Sequence, residues 1–171
     1  PYILVVARLE PENNILMAIN AFLQAHMENV QLVIVGGKST RHYLDSLAAH
    51  ESAKIRFLGA IYDERTLHEI RGGCSGYVHG HSVGGTNPSL LEALALVPGH
   101  LFCHDNKYNR ETASDQASYF DGPSQLAREF RELDLSIGTG QWRPRAPTRD
   151  ASYEPAEICR LYANLITEVA S

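Results

Sequence analysis

Cysteine is scarce in this chain of 171 residues, with three in all: Cys74, Cys103 and Cys159. They form no metal-type cluster, and an odd number cannot all pair. That excludes a disulfide scaffold and a cysteine-held zinc site, and reduced thiols in a cytoplasmic protein are expected. Long apolar runs are lacking as well. No stretch approaches the ~20 residues that a membrane-spanning helix needs, and no signal-peptide pattern is present. At most a peripheral association with the inner face of a membrane is expected. Basic residues are outnumbered, 15 Lys and Arg against 20 Asp and Glu for a formal net charge of −5. A nucleic-acid surface needs a concentrated basic face and is excluded, although room remains for a small basic pocket for a phosphate. There is no internal repeat and no low-complexity tract. What remains is an ordinary globular composition, 44% hydrophobic and 20% charged, at a size that fits one domain with a full core.

The chain opens on Pro1 and enters an apolar run at once, the pattern expected of a domain cut from a longer protein. Residues 2–6 (Tyr-Ile-Leu-Val-Val) are continuously apolar and β-rich, as buried strands of parallel sheets are. Ile15, Ala18, Ile19, Phe22 and Leu23 then recur at helical spacing. Further strands are expected at 30–35, 55–58, 74–78 and 101–103, with a sixth at Tyr119 and Phe120. Helices are expected around Tyr43 to Ala48, Leu67 to Ile70, Pro88 to Leu96, Leu126 to Leu133 and Pro155 to Val169. Alternation of this kind implies an α/β fold, a Rossmann-like doubly wound parallel sheet with helices on both faces. Ligands bind such sheets at the carboxyl ends of the strands, which directs attention to the loops after the first, third and fourth. Residues 138–150, rich in Gly, Pro and Arg, read as a linker between a domain at 1–137 and a final helix at 151–171.

The most informative stretch is His79-Gly80-His81-Ser82-Val83-Gly84-Gly85-Thr86-Asn87-Pro88-Ser89-Leu90-Leu91-Glu92. Gly84, Gly85 and Thr86 lie between a strand and a helix. Asn87 is a preferred N-cap residue and Pro88 suits the first helical position. Glycines let the backbone come close to a ligand, and the free N–H groups of a first helical turn attract an anion such as a diphosphate. The helix that follows is apolar nearly all round, which reads as buried, so a carboxylate at Glu92 needs a partner. Helical side chains lean toward the N-terminus, which aims Glu92 back at the turn, where it suits a ribose diol. Two plainer readings stand beside this: a Glu favoured by the helix dipole, or one paired to a nearby Arg.

Arg8, in the loop Arg8-Leu9-Glu10-Pro11-Glu12-Asn13-Asn14, follows the first strand directly and can offer a bidentate fork to phosphate oxygens. The alternative is a surface ion pair with Glu10 or Glu12. Asn13 or Asn14 is expected to cap the next helix. His79 and His81 flank the turn, and structural hydrogen bonding is the plainer role for each. His104, Asp105, Asn106, Asn109 and Glu111 form a second polar cluster that could contact a ligand or cap a helix. No cluster has metal-ligand spacing.

In this order the pieces resemble the C-terminal half of a family 4 glycosyltransferase of the GT-B fold. Val6-Ala7-Arg8-Leu9-Glu10-Pro11-Glu12-Asn13-Asn14 is similar to that family's Gly-Arg-Leu-x-x-Glu-Lys-Gly/Asn loop. Leu32-Val33-Ile34-Val35-Gly36-Gly37 resembles its Ile-Val-Gly-x-Gly, and Ile55-Arg56-Phe57-Leu58-Gly59 its Val-x-Phe-x-Gly. Gly84 to Ala93 lies where the family carries Glu-x7-Glu. The likeness runs over roughly the first 110 residues, and is nearest to the bacterial rhamnosyltransferase-like branch of cell-surface polysaccharide assembly.

The resemblance implies a retaining transfer of a hexose or deoxyhexose, such as rhamnose or mannose, from a nucleotide-diphosphate sugar to a hydroxyl of a glycan or lipid-linked acceptor. It implies catalytic roles for Arg8 and Glu92. Arg8, Asn13, Gly84, Gly85, Thr86 and Asn87 would hold the donor diphosphate and Glu92 the ribose. Leu58, Gly59, Ala60 and Ile61 would line the base, and His79 and His81 would face the sugar. No cofactor and no metal are implied. The acceptor would sit on an N-terminal domain outside this sequence, so this chain alone is expected to be inactive. Three departures stand out: Gly84 occupies the place of the family's first Glu, Asn13 that of its phosphate-binding Lys, and Leu96-Val97-Pro98-Gly99-His100 breaks its Gly-x-Pro-Val order. They leave open a non-catalytic nucleotide- or partner-binding module of the same fold. A dinucleotide-binding oxidoreductase would need Gly-x-Gly-x-x-Gly after the first strand, where Ala-Arg-Leu-Glu-Pro-Glu stands.

Overall fold

The structure is a computed structural model that describes residues 1–37, 39–83 and 87–145. Among the described residues, six strands form one all-parallel sheet: β1 (Tyr2–Val6), β2 (Gln31–Val35), β3 (Ile55–Phe57), β4 (Gly76–His79), β5 (His100–His104) and β6 (Ser118–Phe120). Their order across the sheet is β3-β2-β1-β4-β5-β6. Six α-helices of the described residues connect and follow them: α1 (Ile15–Ala25), α2 (Arg41–Ala48), α3 (Glu64–Gly72), α4 (Pro88–Leu96), α5 (Lys107–Ala113) and α6 (Pro123–Gly138). This is the doubly wound Rossmann-like arrangement that the alternation of elements predicts. The chain winds outward from β1 in one direction and from β4 in the other, which opens a crevice between their carboxyl ends.

Successive side chains of a strand point to opposite faces, and β1 shows it. Ile3 and Val5 join a core with α1 and α6, where Phe130 meets Phe22 and Phe102 edge-on at ring-centre distances of 6.4 and 5.4 Å. Leu4 enters a second core on the other face with Tyr77, Leu90, Leu94 and Leu101. Both faces of the central strands are therefore apolar. At about 25 cal/mol per Å2 this burial is the main force holding the sheet together.

Several expectations need correcting. The helix read at 126–133 runs from Pro123 to Gly138, so Gly138 closes a helix and does not open a linker. Helix α5 lacks an apolar stripe and was legible only as a polar cluster. Residues 139–145 turn back under the sheet, where the Arg145 N–H donates to the Pro98 carbonyl (2.7 Å) and its Nε to that of Gly99 (3.1 Å). Cys74 and Cys103 are free and buried, and burial pushes both thiols up to about 12. Cys159 and the final helix expected at 155–169 lie outside the described residues.

Candidate functional site

The crevice is a cleft of about 580 Å3 at the carboxyl ends of the central strands. Its walls come from the loop after β1 (Arg8, Glu10, Glu12, Asn13), the end of β2 (Gly36, Gly37) and the loop after β3 (Ala60, Ile61, Tyr62). His81 and Val83 follow β4, Asn87, Ser89 and Glu92 come from α4, and Arg71 from α3. Two glycines bring these loops together. A Cβ on Gly36 would collide with the Ala7 carbonyl, and one on Gly80 with that of Asn13. Hydrogen bonds then tie the β1 loop to the β4 loop. Asn14 Nδ2 donates to the Gly80 carbonyl (2.8 Å), while the Ser82 N–H and Oγ donate to that of Glu12 (3.0 and 2.9 Å).

Arg8 sits 71% exposed on this rim, with Nη1 3.5 Å from Glu10 Oε1. Arg8 lines the cleft and has the loose ion pair with Glu10. Asn13 is buried, and its Nδ2 donates to the Arg8 carbonyl at 2.8 Å, which folds the loop on itself. Neither Asn13 nor Asn14 caps α1 through its side chain. Asn14 takes a left-handed conformation (φ 54°) at the helix start and spends its amide on Gly80. Asn87 does cap α4, its side-chain oxygen accepting the Ser89 N–H at 2.9 Å with Pro88 in the first turn. Gly84, Gly85 and Thr86 lie outside the described residues.

Glu92 lines the cleft, but not as a carboxylate buried in an apolar helix. Its side chain is 46% exposed, because α4 turns only its Leu90, Ala93 and Leu94 face into the core. Its partner is Arg71, whose Nη2 lies 2.6 Å from Glu92 Oε2 while the guanidinium is only 2% exposed. The same Nη2 donates to Ser89 Oγ at 3.4 Å. Ser89 Oγ shares a 2.7 Å hydrogen bond with the Tyr77 hydroxyl and donates to the Val6 carbonyl at 3.3 Å. Burial, the largest influence, pushes the Tyr77 phenol up to about 12, keeping it protonated as a donor. Arg71, Ser89 and Tyr62 belong to the cleft without having been marked by the sequence. The only signal was the general one that a carboxylate at 92 could pair with an Arg.

Of the residues expected to line a base, Ala60 and Ile61 reach the cleft and Leu58 and Gly59 do not. The two histidines also separate. His81 lines the cleft, whereas His79 lies beneath it, 1% exposed and stacked on His81 at 4.4 Å. Burial, then the neighbouring His81, brings the His79 imidazole down to about 3; burial, then Arg8, lowers that of His81. Both rings are therefore neutral near pH 7. The polar cluster after β5 serves the loop that carries His81. Asn106 caps α5, and Asn106 and Asn109 donate to the His81 carbonyl at 2.9 and 3.0 Å. Among the described residues, no group of His, Cys, Asp and Glu is arranged to hold a metal ion, and no helix is long and apolar enough to cross a membrane.

A crevice at the switch point of a parallel sheet, with an arginine on one loop and a carboxylate on the facing helix, defines a class of ligand-binding α/β domains. Comparison narrows the class. Residues 1–118 match the sequence profile of the glycosyl transferases group 1, and the chain belongs to that family. No curated protein sequence matches it significantly. In fold it is similar to GT-B glycosyltransferases. One is the pneumococcal O-GlcNAc transferase GtfA in complex with UDP and GlcNAc, with a TM-score of 0.70 at 20% identity over 99% of this chain and 36% of that one. Anabaena HepE in complex with UDP gives 0.71 at 14% identity over 98% and 48%. The α,α-trehalose 6-phosphate synthase of Burkholderia multivorans gives 0.68 at 16% over 95% and 39%. The chain thus spans between a third and a half of the length of these proteins.

Proposed function

We propose that this chain binds the nucleotide end of a nucleotide-diphosphate sugar and forms the donor half of a retaining glycosyltransferase. The observation that carries the reading is the joint presence of Arg8 and Glu92 in one switch-point cleft, in a chain of the glycosyl transferases group 1 family. Arg8, with Asn13, Asn87 and the backbone amides of Gly84, Gly85 and Thr86, would hold the diphosphate; Glu92 takes the ribose hydroxyls; Ala60 and Ile61 lie against the base; His81 looks toward the sugar. In the reaction the bond between the anomeric carbon and the diphosphate oxygen breaks. A bond to the acceptor hydroxyl oxygen forms, and the nucleoside diphosphate departs and takes up the proton that the hydroxyl loses. Arg8 and the first-turn amides of α4 stabilise the charge that develops on the leaving diphosphate, the electrostatic contribution that is usually largest in such transfers. UDP in two of the similar structures supports a nucleotide guest.

The sugar proposed is a hexose or deoxyhexose such as rhamnose or mannose, and the acceptor a glycan or lipid-linked hydroxyl in bacterial surface polysaccharide synthesis in the cytoplasm. The acceptor side belongs to a further N-terminal domain, with residues 1–137 in the donor domain. A second reading is a module of the same fold that binds nucleotide without transfer. Gly84 in place of the family's first Glu favours it, as does the Asn13 amide being taken up by the Arg8 carbonyl. Isothermal titration of the chain with UDP, GDP and dTDP tests the proposal. At least one should bind, and Arg8→Ala should weaken it roughly two- to fivefold, the scale of an exposed charge pair. Sugar transfer by the 171-residue chain alone should be undetectable. Indifference to all three nucleotides would sink the reading.

A further inference from the structure

We infer that Arg71 is the positioning residue of the ribose contact: buried in the cleft wall and bonded to Glu92 Oε2 at 2.6 Å, it fixes the direction in which the Glu92 carboxylate offers its remaining acceptor capacity to the cleft. The inference rests on the proposal that Glu92 meets the ribose. Glutamate has three rotatable bonds, and a half-exposed one surrenders their freedom when a ligand orders it. A partner that already holds the carboxylate removes most of that cost before the ligand arrives.

Arg71 is placed to do this and badly placed to serve stability alone. Its guanidinium is 2% exposed at the end of α3, and Nη2 spans Glu92 and Ser89 at 2.6 and 3.4 Å. Ser89 is fixed in turn by Tyr77 of β4 and the Val6 carbonyl of β1, so the anchor reaches the two central strands. A buried ion pair gains little for the fold over apolar side chains of similar size. Arg71 Nε, moreover, is buried without a hydrogen-bond partner, a cost that packing alone does not compensate. The same arginine holds Glu92 at the wall of the cleft that both residues line. Arg71 acts through Glu92 and touches no reacting atom.

Titration with two probes separates this role from others. UDP carries the ribose and inorganic pyrophosphate does not. Arg71→Met should weaken UDP about tenfold, the loss expected for a hydrogen bond to a charged group, and leave pyrophosphate unchanged. Glu92→Ala should weaken UDP by a similar factor, and the double variant should lose no more than either alone. Arg71→Lys keeps the charge and should recover part of the UDP affinity. It also carries the test if Arg71→Met gives no cooperative melt, its own loss then being confined to UDP. If Glu92→Ala leaves UDP binding intact, the ribose reading itself falls, and the inference with it. If Glu92→Ala weakens UDP and Arg71→Met does not, the inference alone falls. Equal loss of UDP and pyrophosphate in Arg71→Met would also overturn it, placing Arg71 on the phosphates or in the fold.

Discussion

At the scale of single residues, His79 joins the site to the stability of the fold. It ends β4 under the cleft, 1% exposed, and both ring nitrogens are buried without a partner. The ring stacks on His81 at 4.4 Å, 13° from parallel, so it serves as a flat support for the residue that lines the cleft. Burial, then His81, holds its imidazole at about 3, below the ordinary 6.5. Above pH 6.5 neither the folded nor the unfolded chain protonates it, and it adds no pH dependence. Between 6.5 and 3 the unfolded chain takes up a proton that the folded chain refuses. Stability therefore falls with pH across that window, by up to about 1.4 kcal/mol per unit. His79→Phe keeps a ring in the stack and removes the proton. Its melting temperature should fall less than that of the native chain between pH 7.5 and pH 5, measured by circular dichroism. Some slope will remain, since burial also lowers His81 and His104. An unchanged slope would place the acid sensitivity in other groups.

At the scale of elements, the sheet needs its helices held in place, and Asp134 holds α6. Its carboxylate is 9% exposed and accepts the N–H groups of Asn29 (2.8 Å) and Glu28 (3.1 Å) and the Asn29 side-chain amide (3.2 Å). Those residues lead into β2 at the amino-terminal edge of the sheet, away from the cleft. Asp134→Ala should destabilise the chain by about 2–3 kcal/mol in urea unfolding, the scale of lost hydrogen bonds to a charged acceptor. UDP affinity should stay the same; a parallel loss would mean that the two edges of the sheet are coupled. Elements differ in how legible they are in sequence. β1, and β2 from Leu32 to Val35, announce themselves because the residues there run apolar without a break, as strands buried on both faces do. α4 is marked by its Asn-Pro start and ends where expected. α5 is not, because its seven residues are mostly polar and its place is set by Asn106 and Asn109 gripping the His81 carbonyl, a tertiary contact. Arg71 is hidden for a related reason: α3 reads Glu-Arg-Thr-Leu-His-Glu-Ile-Arg-Gly, and nothing in so polar a string tells which charge turns inward. Glu92 was located for a reason the structure replaces, since a partner and a cleft explain it better than burial does.

At the scale of the molecule, two ends of one sheet divide the work. The carboxyl ends of β1 to β4 carry the loops of the cleft, and the amino-terminal edge carries the Asp134 contact and the Arg145 segment. A second cavity, about 280 Å3, lies at that other edge beside Pro98, His100, Asp115 and Arg143, and competes as a place for a polar ligand. The two edges predict different footprints under hydrogen exchange. Binding slows exchange where it suppresses local opening, and loops have the smallest opening free energies to begin with. Saturating UDP should therefore protect residues 7–14, 60–62 and 87–92, which belong to two loops and the start of α4 converging on one cleft. Residues 98–101 and 139–145 should exchange as before. The whole chain should also melt higher, by an amount that grows with the logarithm of UDP concentration above its dissociation constant. Protection confined to 98–101 and 139–145 would move the ligand to the opposite edge and remove the basis for reading Arg8 and Glu92 as its partners. Protection of the β1 loop without α4 would keep Arg8 on the phosphates and separate Glu92 from the ribose, because a ligand that spans both must quiet both walls.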